Sequence, residues 1–263
     1  TSRLGRLLEP LGVDAGEAEG VAVAAIEYDS RRVAPGTLFV AVRGLTTDGH
    51  LYVAEAARRG AVAALVEEAT GCGELTEIAV PDTRLALGLV AHEFYGRPTD
   101  ALATHAITGT NGKTTTSYLF DSVLRASGAT TGVVGTLGYR VGDRTTPGDM
   151  TSAESLDLAR MLASMVEEGV TDVTIEVSSH ALALKRTAGA RFDTAAFTNM
   201  SRDHLDFHGS FEEYFAAKSS LFDGLAADAG KNGATACINE ADEYGRLLID
   251  RVRSKGTVNL LTY

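Results

Sequence analysis

The chain has 263 residues, 44% of them hydrophobic, with a formal net charge of −11 and a pI near 5.0. That length is enough for two domains with separate cores, and the acidic balance excludes general binding to nucleic acid or anionic membranes through a basic face. No apolar run reaches the ~18 residues of a bilayer span and the first residues carry no signal-peptide core, so no membrane insertion and a cytoplasmic location are expected.

Along the chain, short β-rich runs alternate with helical patterns, the mark of α/β layers. Ser2 stands where it would cap a short helix through Leu8. Ala24 to Tyr28 and Thr37 to Val42 read as strands, followed by a helix from Tyr52 to Arg59 and strands at Ala61 to Val66 and Ile78 to Val80. Two polar loops border these strands, Tyr28-Asp29-Ser30-Arg31 and the stretch from Gly44 to His50. Their Asp, Ser, Thr and Gly residues suit turns for backbone reasons, and their hydroxyls also suit a phosphorylated ligand. Pro81-Asp82-Thr83 interrupts the pattern before a helix from Leu85 to Tyr95, which places a domain boundary near Arg84. The expected division is therefore 1–84 and 85–263. Cys72 and Cys237 are solitary, without metal-ligand spacing, and read as reduced bystanders. The chain opens on Thr1 rather than methionine, as a trimmed N-terminus would.

The second domain is organised around Thr108 to Thr116, TGTNGKTTT, between an apolar run at Ala103 to Ile107 and a helical pattern from Ser117 to Ala126. Gly109 and Gly112 allow the backbone to curl so that successive amides point inward, toward the positive end of the following helix. Such a loop, formed by Gly109, Thr110, Asn111, Gly112, Lys113, Thr114 and Thr115, is built for phosphate, and ATP is the expected ligand. Lys113 would reach the outer phosphates and Thr114 the accompanying magnesium ion. The general pattern wants another glycine where this chain has Ile107.

Beyond the loop, Thr131 to Gly135 reads as a strand and Arg140 to Met150 as an exposed loop; a helix capped by Ser152 then runs to Glu168. Val173 to Val177 is a strand with Glu176 near its C-terminal end, where open α/β sheets collect ligands. An acidic group in an apolar strand needs a partner, and both magnesium and an arginine qualify. Ala195 to Thr198 forms a further strand, leading to Asp203, His204 and Asp206, three groups able to hold metal or move protons. In the helix from Glu212 to Leu225, spacing alone lets Lys218 run its stem out to solvent. Strand, helix and strand follow at Ala234 to Ile238, Glu240 to Arg253 and Val258 to Leu261.

Four ordered stretches carry a resemblance: GTNGKTTT at Gly109 to Thr116, EVSSHAL at Glu176 to Leu182, FTNMSRDHLDFHG at Phe197 to Gly209, and the pair Ala217-Lys218. In this order they resemble the Mur ligases, ATP-dependent amide-bond-forming enzymes of peptidoglycan and cell-wall biogenesis, and within them the MurE type, which adds the third residue of the stem peptide.

The resemblance implies an α/β fold: a small N-terminal UDP-binding domain, then a P-loop-type central domain with a mostly parallel sheet flanked by helices. It implies that Tyr28, Ser30, Thr46 and Thr47 serve the UDP end of a UDP-N-acetylmuramoyl dipeptide, and that Thr151, Ser152, Ser178 and Arg186 touch its muramyl-peptide part. Lys113, Glu176, His204 and Lys218 are the implied catalytic set. Thr114 and Glu176 would hold one magnesium ion, and His204 would hold a second together with a carbamate on Lys218. The incoming amine would be meso-diaminopimelate or L-lysine. The chain departs from many relatives at Met150-Thr151-Ser152 and at Leu184. It also shows none of the family's third, C-terminal domain, so a truncated form unable by itself to complete amide formation is expected. The competing readings are a non-catalytic nucleotide or UDP-sugar binding module and another Mur-like ligase of the folate or cyanophycin type.

Overall fold

Two compact units make up the computed structural model, which describes residues 1–146, 152–227, 231 and 233–263. One comprises Thr1–Arg97 with Ser155–Arg160, the other Pro98–Glu154 with Met161–Tyr263.

In the first unit, β1 (Ser2–Arg3) leads into α1 (Leu4–Leu8) and pairs antiparallel with β2 (Ala22–Val23). Ser2 lies in the strand, and the cap of α1 is Arg3, without a side-chain bond. The next strands are β3 (Ala25–Glu27), β4 (Thr37–Val40), β5 (Ala61–Val66) and β6 (Glu77–Ala79), with α2 (Val53–Arg58) before β5. They form a four-stranded, wholly parallel sheet in that order. Parallel strands covered on both faces read as continuous apolar runs, and Thr37–Val40 is buried at every position.

The helix α3 (Thr83–Phe94) belongs to this unit, so the boundary lies at Arg97 rather than near Arg84. Pro81-Asp82-Thr83 is a helix start: the Asp82 carboxylate accepts from the Leu85 amide at 2.8 Å. Ala86, Leu87, Val90 and Ala91 then pack in the same core as Leu38 and Leu65, and that burial keeps the helix with the first sheet. Glu93, also buried, accepts from Arg6 Nε at 3.0 Å and from Arg97 Nε at 2.9 Å.

The second unit starts with α4 (Pro98–Ala101), β7 (Ala103–Thr108), α5 (Lys113–Ala126) and β8 (Thr131–Gly135). A hairpin of β9 (Gly138–Val141) and β10 (Arg144–Thr146) follows, then α6 (Ser155–Glu167), of which Ser155–Arg160 counts with the first unit, then β11 (Asp172–Glu176), α7 (Ser179–Ala183) and β12 (Thr194–Phe197). The chain continues through α8 (Leu205–His208), α9 (Phe211–Ala227), β13 (Thr235–Ile238), α10 (Glu243–Lys255) and β14 (Asn259–Thr262). These strands form one sheet in the order β10-β9-β8-β11-β7-β12-β13-β14. Pairing is parallel except along β8-β9-β10.

Residues expected in an exposed loop from Arg140 onward thus form an antiparallel ribbon, with Thr145 opposite Arg140. Gly142, at φ +55, and Asp143 are its turn, which accounts for the loop-like composition. Arg140 is buried, its guanidinium paired with the Asp121 carboxylate and 5.7 Å from the Tyr118 ring centre. Residues 147–151 lie outside the described ones.

From β7 the chain moves out to β8, returns to β11, and then crosses to β12 and β13 on the other side. Strand order therefore reverses beside β7, and the crevice at the C-terminal ends of β7, β11 and β12 is where such sheets bind ligands. No helix among the described residues is long and apolar enough to cross a membrane.

Candidate nucleotide and metal site

The loop after β7 is short because the strand runs on through Ile107, which is buried and pairs with Glu176 of β11. Where the general phosphate-loop pattern would already turn, this chain is still in its sheet. Gly109 then adopts φ +147, and a Cβ there would overlap Thr198 Oγ1. Gly112, at φ +84, is the N-cap of α5 and makes no side-chain capping bond. The loop and the first residues of that helix border a cavity of about 340 Å³, lined by residues 110–115 together with Thr136, Ser178 and His204. A larger hollow of about 570 Å³ beside α10, between Glu240, Arg246, Arg253 and Tyr263, contains none of the sequence-predicted site residues.

Lys113 folds back over the loop, donating to Gly109 O at 2.9 Å and Thr110 O at 3.0 Å. Burial pushes its pKa down, against the opposing pull of Glu176 and Asp203. Lys218 projects from the middle of α9 to the same Gly109 carbonyl, at 3.0 Å, with its ammonium 4.6 Å from the Tyr214 ring centre. It is 1% exposed, so its stem does not run to solvent as spacing alone allows. Burial, reinforced by the Lys113 charge, pushes its pKa down to about 7.

Glu176 is fully buried and is held by hydroxyls and an amide. Its Oε2 accepts from Thr114 Oγ1 at 2.8 Å and from Thr136 Oγ1 at 3.1 Å, while Oε1 accepts from the Thr136 amide at 3.3 Å. Hard oxygen donors of this kind suit magnesium, which takes one or two protein ligands and completes its shell with phosphate and water. The residues present fit that ion. Among the described residues no three His, Cys, Asp or Glu side chains converge as a self-contained metal cage.

Directly after Glu176, Ser178 caps α7 by accepting from the Ala181 amide at 3.1 Å. Ser152 Oγ donates to Glu176 O at 3.2 Å and lies 3.4 Å from Ser178 Oγ; Arg186 Nη1 donates to Ser152 O at 3.3 Å, and its Nε is 3.5 Å from Glu154. Thr151 lies outside the described residues.

His204 sits in the left-handed region at φ 53 just before α8, with its side chain 46% exposed and Nε2 3.4 Å from Asp203 Oδ2. Its ring meets His180 edge to face at 4.7 Å and Tyr214 at 6.2 Å. His204 and Lys218 thus share Tyr214 as a neighbour. His208 is buried, with Nε2 2.9 Å from Ser179 Oγ. Burial lowers the pKa of both His180 and His208, and the neighbouring imidazoles add to it. His180, His208, Thr136 and Tyr214 are site neighbours that the sequence reading did not single out. Two of them lie inside the quoted stretches EVSSHAL and FTNMSRDHLDFHG, the only signal that pointed to them.

In the first unit, Tyr28 Oη donates to Asp157 Oδ2 at 2.8 Å. Ser30 is buried at the start of a short 3₁₀ turn capped by Asp29, and Thr46 and Thr47 are exposed, with Thr47 O accepting from the Gly44 amide at 2.8 Å. His50 is a bonded structural residue: the Glu67 amide donates to Nε2 at 2.8 Å, so the ring proton sits on Nδ1, 2.7 Å from Asp48.

Residues 107–263 match the Mur ligase middle domain, and residues 22–95 match the Mur ligase family, catalytic domain. The chain belongs to the Mur ligase family. It is 46% identical over 252 residues to UDP-N-acetylmuramoyl-L-alanyl-D-glutamate--2,6-diaminopimelate ligase of Geobacter metallireducens, covering 95% of this chain and 49% of that protein. To the ligase of the same name from Solibacter usitatus it is 47% identical over 245 residues, covering 92% and 48%. This Mur ligase chain therefore spans about half the length of the curated relatives it matches. Among solved structures, a UDP-N-acetylmuramoyl-L-alanyl-D-glutamate--2,6-diaminopimelate ligase superposes with a TM-score of 0.84 at 29% identity, covering 100% of this chain and 52% of that one. MurF from Thermotoga maritima in complex with ADP, at 22% identity and a TM-score of 0.58, shares the fold over 92% of this chain and 50% of its own.

Proposed function

We propose that this chain carries the nucleotide and sugar-peptide portion of a MurE-type ligase, which joins an amino acid to UDP-MurNAc-L-Ala-D-Glu at the expense of ATP. The observation that carries the reading is the meeting of Thr114 with Glu176 under a glycine loop headed by Lys113. Diaminopimelate is the favoured incoming amine, because the two relatives at 46% and 47% identity are named for it.

In this reading the loop amides and the first turn of α5 receive the ATP phosphates. Lys113 exchanges the carbonyls of Gly109 and Thr110 for phosphate oxygens as charge builds on the γ-phosphoryl group. Thr114 and Glu176 would hold magnesium, which when bound offsets phosphoryl charge. The D-glutamate carboxylate attacks the γ-phosphorus, the bond to the β-phosphate oxygen breaks, and ADP leaves an acyl phosphate. The amine then attacks the acyl carbon, inorganic phosphate departs with the bond electrons, and the ammonium proton is lost to solvent.

Lys218 has its own part. With a pKa of about 7 the amine is free of its proton in roughly half of the molecules at neutral pH, so the nitrogen can add to carbon dioxide, releasing one proton and leaving a carbamate. Two oxygens then replace an ammonium, a suitable ligand set with His204 for a second hard cation. Tyr28, Ser30, Thr46 and Thr47 are proposed for the UDP end, and Thr151, Ser152, Ser178 and Arg186 for the peptide carboxylates. A water-soluble, nucleotide-linked substrate fits a cytoplasmic location. The presence together of Lys113, Glu176 and Lys218 favours an enzyme over a passive binding module.

Calorimetric titration with UDP-MurNAc-L-Ala-D-Glu, against UDP-MurNAc-L-Ala as control, tests the reading. Tighter binding of the dipeptide form is expected, and equal binding of the two would overturn the assignment of substrate.

A further inference from the structure

The phosphate loop is held from outside as well as by its own Lys113, which donates to the Gly109 and Thr110 carbonyls. Gly112, the N-cap of α5, has no side chain to contribute, and the loop is further gripped by the segment that follows β12. The Thr110 amide donates to Asn199 O at 2.8 Å. Asn199 then clasps the next residue on both sides: its Oδ1 accepts from the Asn111 amide at 3.0 Å, and its Nδ2 donates to the Asn111 carbonyl at 3.1 Å. With an amide facing Oδ1 and a carbonyl facing Nδ2, only one orientation of the side chain satisfies both groups. Thr198 Oγ1 adds a bond to the same Asn111 carbonyl at 2.7 Å, and the Ser201 amide donates to Thr110 Oγ1 at 3.0 Å.

The gripping segment is itself anchored. Asn239, at the end of β13, donates through Nδ2 to Thr198 O at 2.8 Å, and the Met200 amide donates to Asp242 Oδ2 at 3.0 Å. Asp242 is also the cap of α10. Asn111 is thus tied, beyond the loop itself, to two neighbouring strand ends and a helix start.

We propose that Asn199 is a positioning residue for the phosphates of a bound nucleotide. By fixing the peptide groups on either side of Asn111, directly before Gly112, it aims the loop amides at the cavity before a ligand arrives. Preorganised donors bind more tightly because their ordering is complete beforehand. The inference rests on the nucleotide reading given above and names a residue that reading does not use.

The test is titration of the 263-residue chain and its Asn199→Ala variant with Mg-ADP, together with amide hydrogen exchange of both chains without nucleotide. Two lost hydrogen bonds to the loop should weaken ADP by about tenfold, equivalent to about 1.4 kcal/mol. The melting temperature should stay close to that of the parent, and exchange should quicken in the segment 108–116 alone. Unchanged ADP affinity overturns the inference. Faster exchange throughout the second unit does so as well, since it would make Asn199 a general support of the fold. If the unmodified chain fails to bind Mg-ADP, the nucleotide reading falls first and this inference with it, an outcome distinct from the other two.

Discussion

Lys113 and Lys218 donate to one and the same carbonyl oxygen, that of Gly109, at 2.9 and 3.0 Å. Two lysines converging on one acceptor in a buried place cannot both keep a full charge cheaply. The more buried of them, Lys218, gives way, and its position at the foot of the phosphate loop joins the loop to the long helix α9.

That arrangement leaves a signature in stability against pH. The folded-state pKa of Lys218, about 7, lies below its ordinary value of 10.5. Between those values the unfolded chain holds the proton more often, so this group makes stability rise with pH. Its penalty is complete below about 7 and absent above 10.5. Urea unfolding between pH 7 and 9.5 in CO₂-free buffer should show that rise in the parent and a flatter profile in Lys218→Met. An equal slope in both chains would sink the prediction.

Glu176 meets Thr114 and Thr136, and among the described residues no charged side chain bonds to it. Glu176→Gln keeps an acceptor for the two hydroxyls but removes the anion, so the fold should persist. Magnesium should then stop improving ADP affinity, a gain of about tenfold in the parent if one charge-assisted contact is involved. Calorimetry with and without EDTA reads this directly; a retained magnesium effect would remove Glu176 from the ion's shell.

Gly109→Ala addresses the loop itself. A Cβ there would overlap Thr198 Oγ1 and lie 3.1 Å from both the amide nitrogen and the carbonyl oxygen of Asn199, at a φ of +147 that favours glycine. Backbone strain of this kind costs about 1–3 kcal/mol, and the displaced loop should lose ADP binding. A variant that melts and binds like the parent would show that the loop has room the geometry denies.

Glu93 offers a test confined to the first unit. Its carboxylate is buried between Arg6 and Arg97, whose side chains are 63% and 59% exposed. Because the arginines can return to water, Glu93→Ala should cost about 1–2 kcal/mol, less than a pair buried on both sides. Urea unfolding of the variant checks it, and a loss below about 0.5 kcal/mol would place the pair among ordinary surface ion pairs.

The glycine loop, most strands of both sheets and the polar group at the end of β12 were legible in the residue pattern, since each is a local signal of turn chemistry or apolar run. What escaped depends on contacts distant in sequence. Helix periodicity around Lys218 allows solvent or core equally well, and the deciding partner is a carbonyl at Gly109. Arg140 looked like a loop residue because the acid that buries it, Asp121, lies on α5. The boundary drifted to Arg84 because Pro81-Asp82-Thr83 signals a break and a helix cap with the same letters. Asn199 carried no chemistry of its own in the sequence, and only the fold brings it to Asn111.

One feature of the central sheet bears on how freely the chain can change its length. β7 and β11 run parallel with Ile107 opposite Glu176, and alternate residues of a strand face opposite ways. Adding or deleting a single residue within Asp172–Glu176 would turn the carboxylate to the far side of the sheet, away from Thr114. At the tip of the β9-β10 ribbon, where the Asp143 side chain is 91% exposed, the same event would only lengthen or shorten a turn. Insertions and deletions should therefore accumulate at that tip and be purged from β11, a contrast that libraries of single-codon indels selected for nucleotide binding would display.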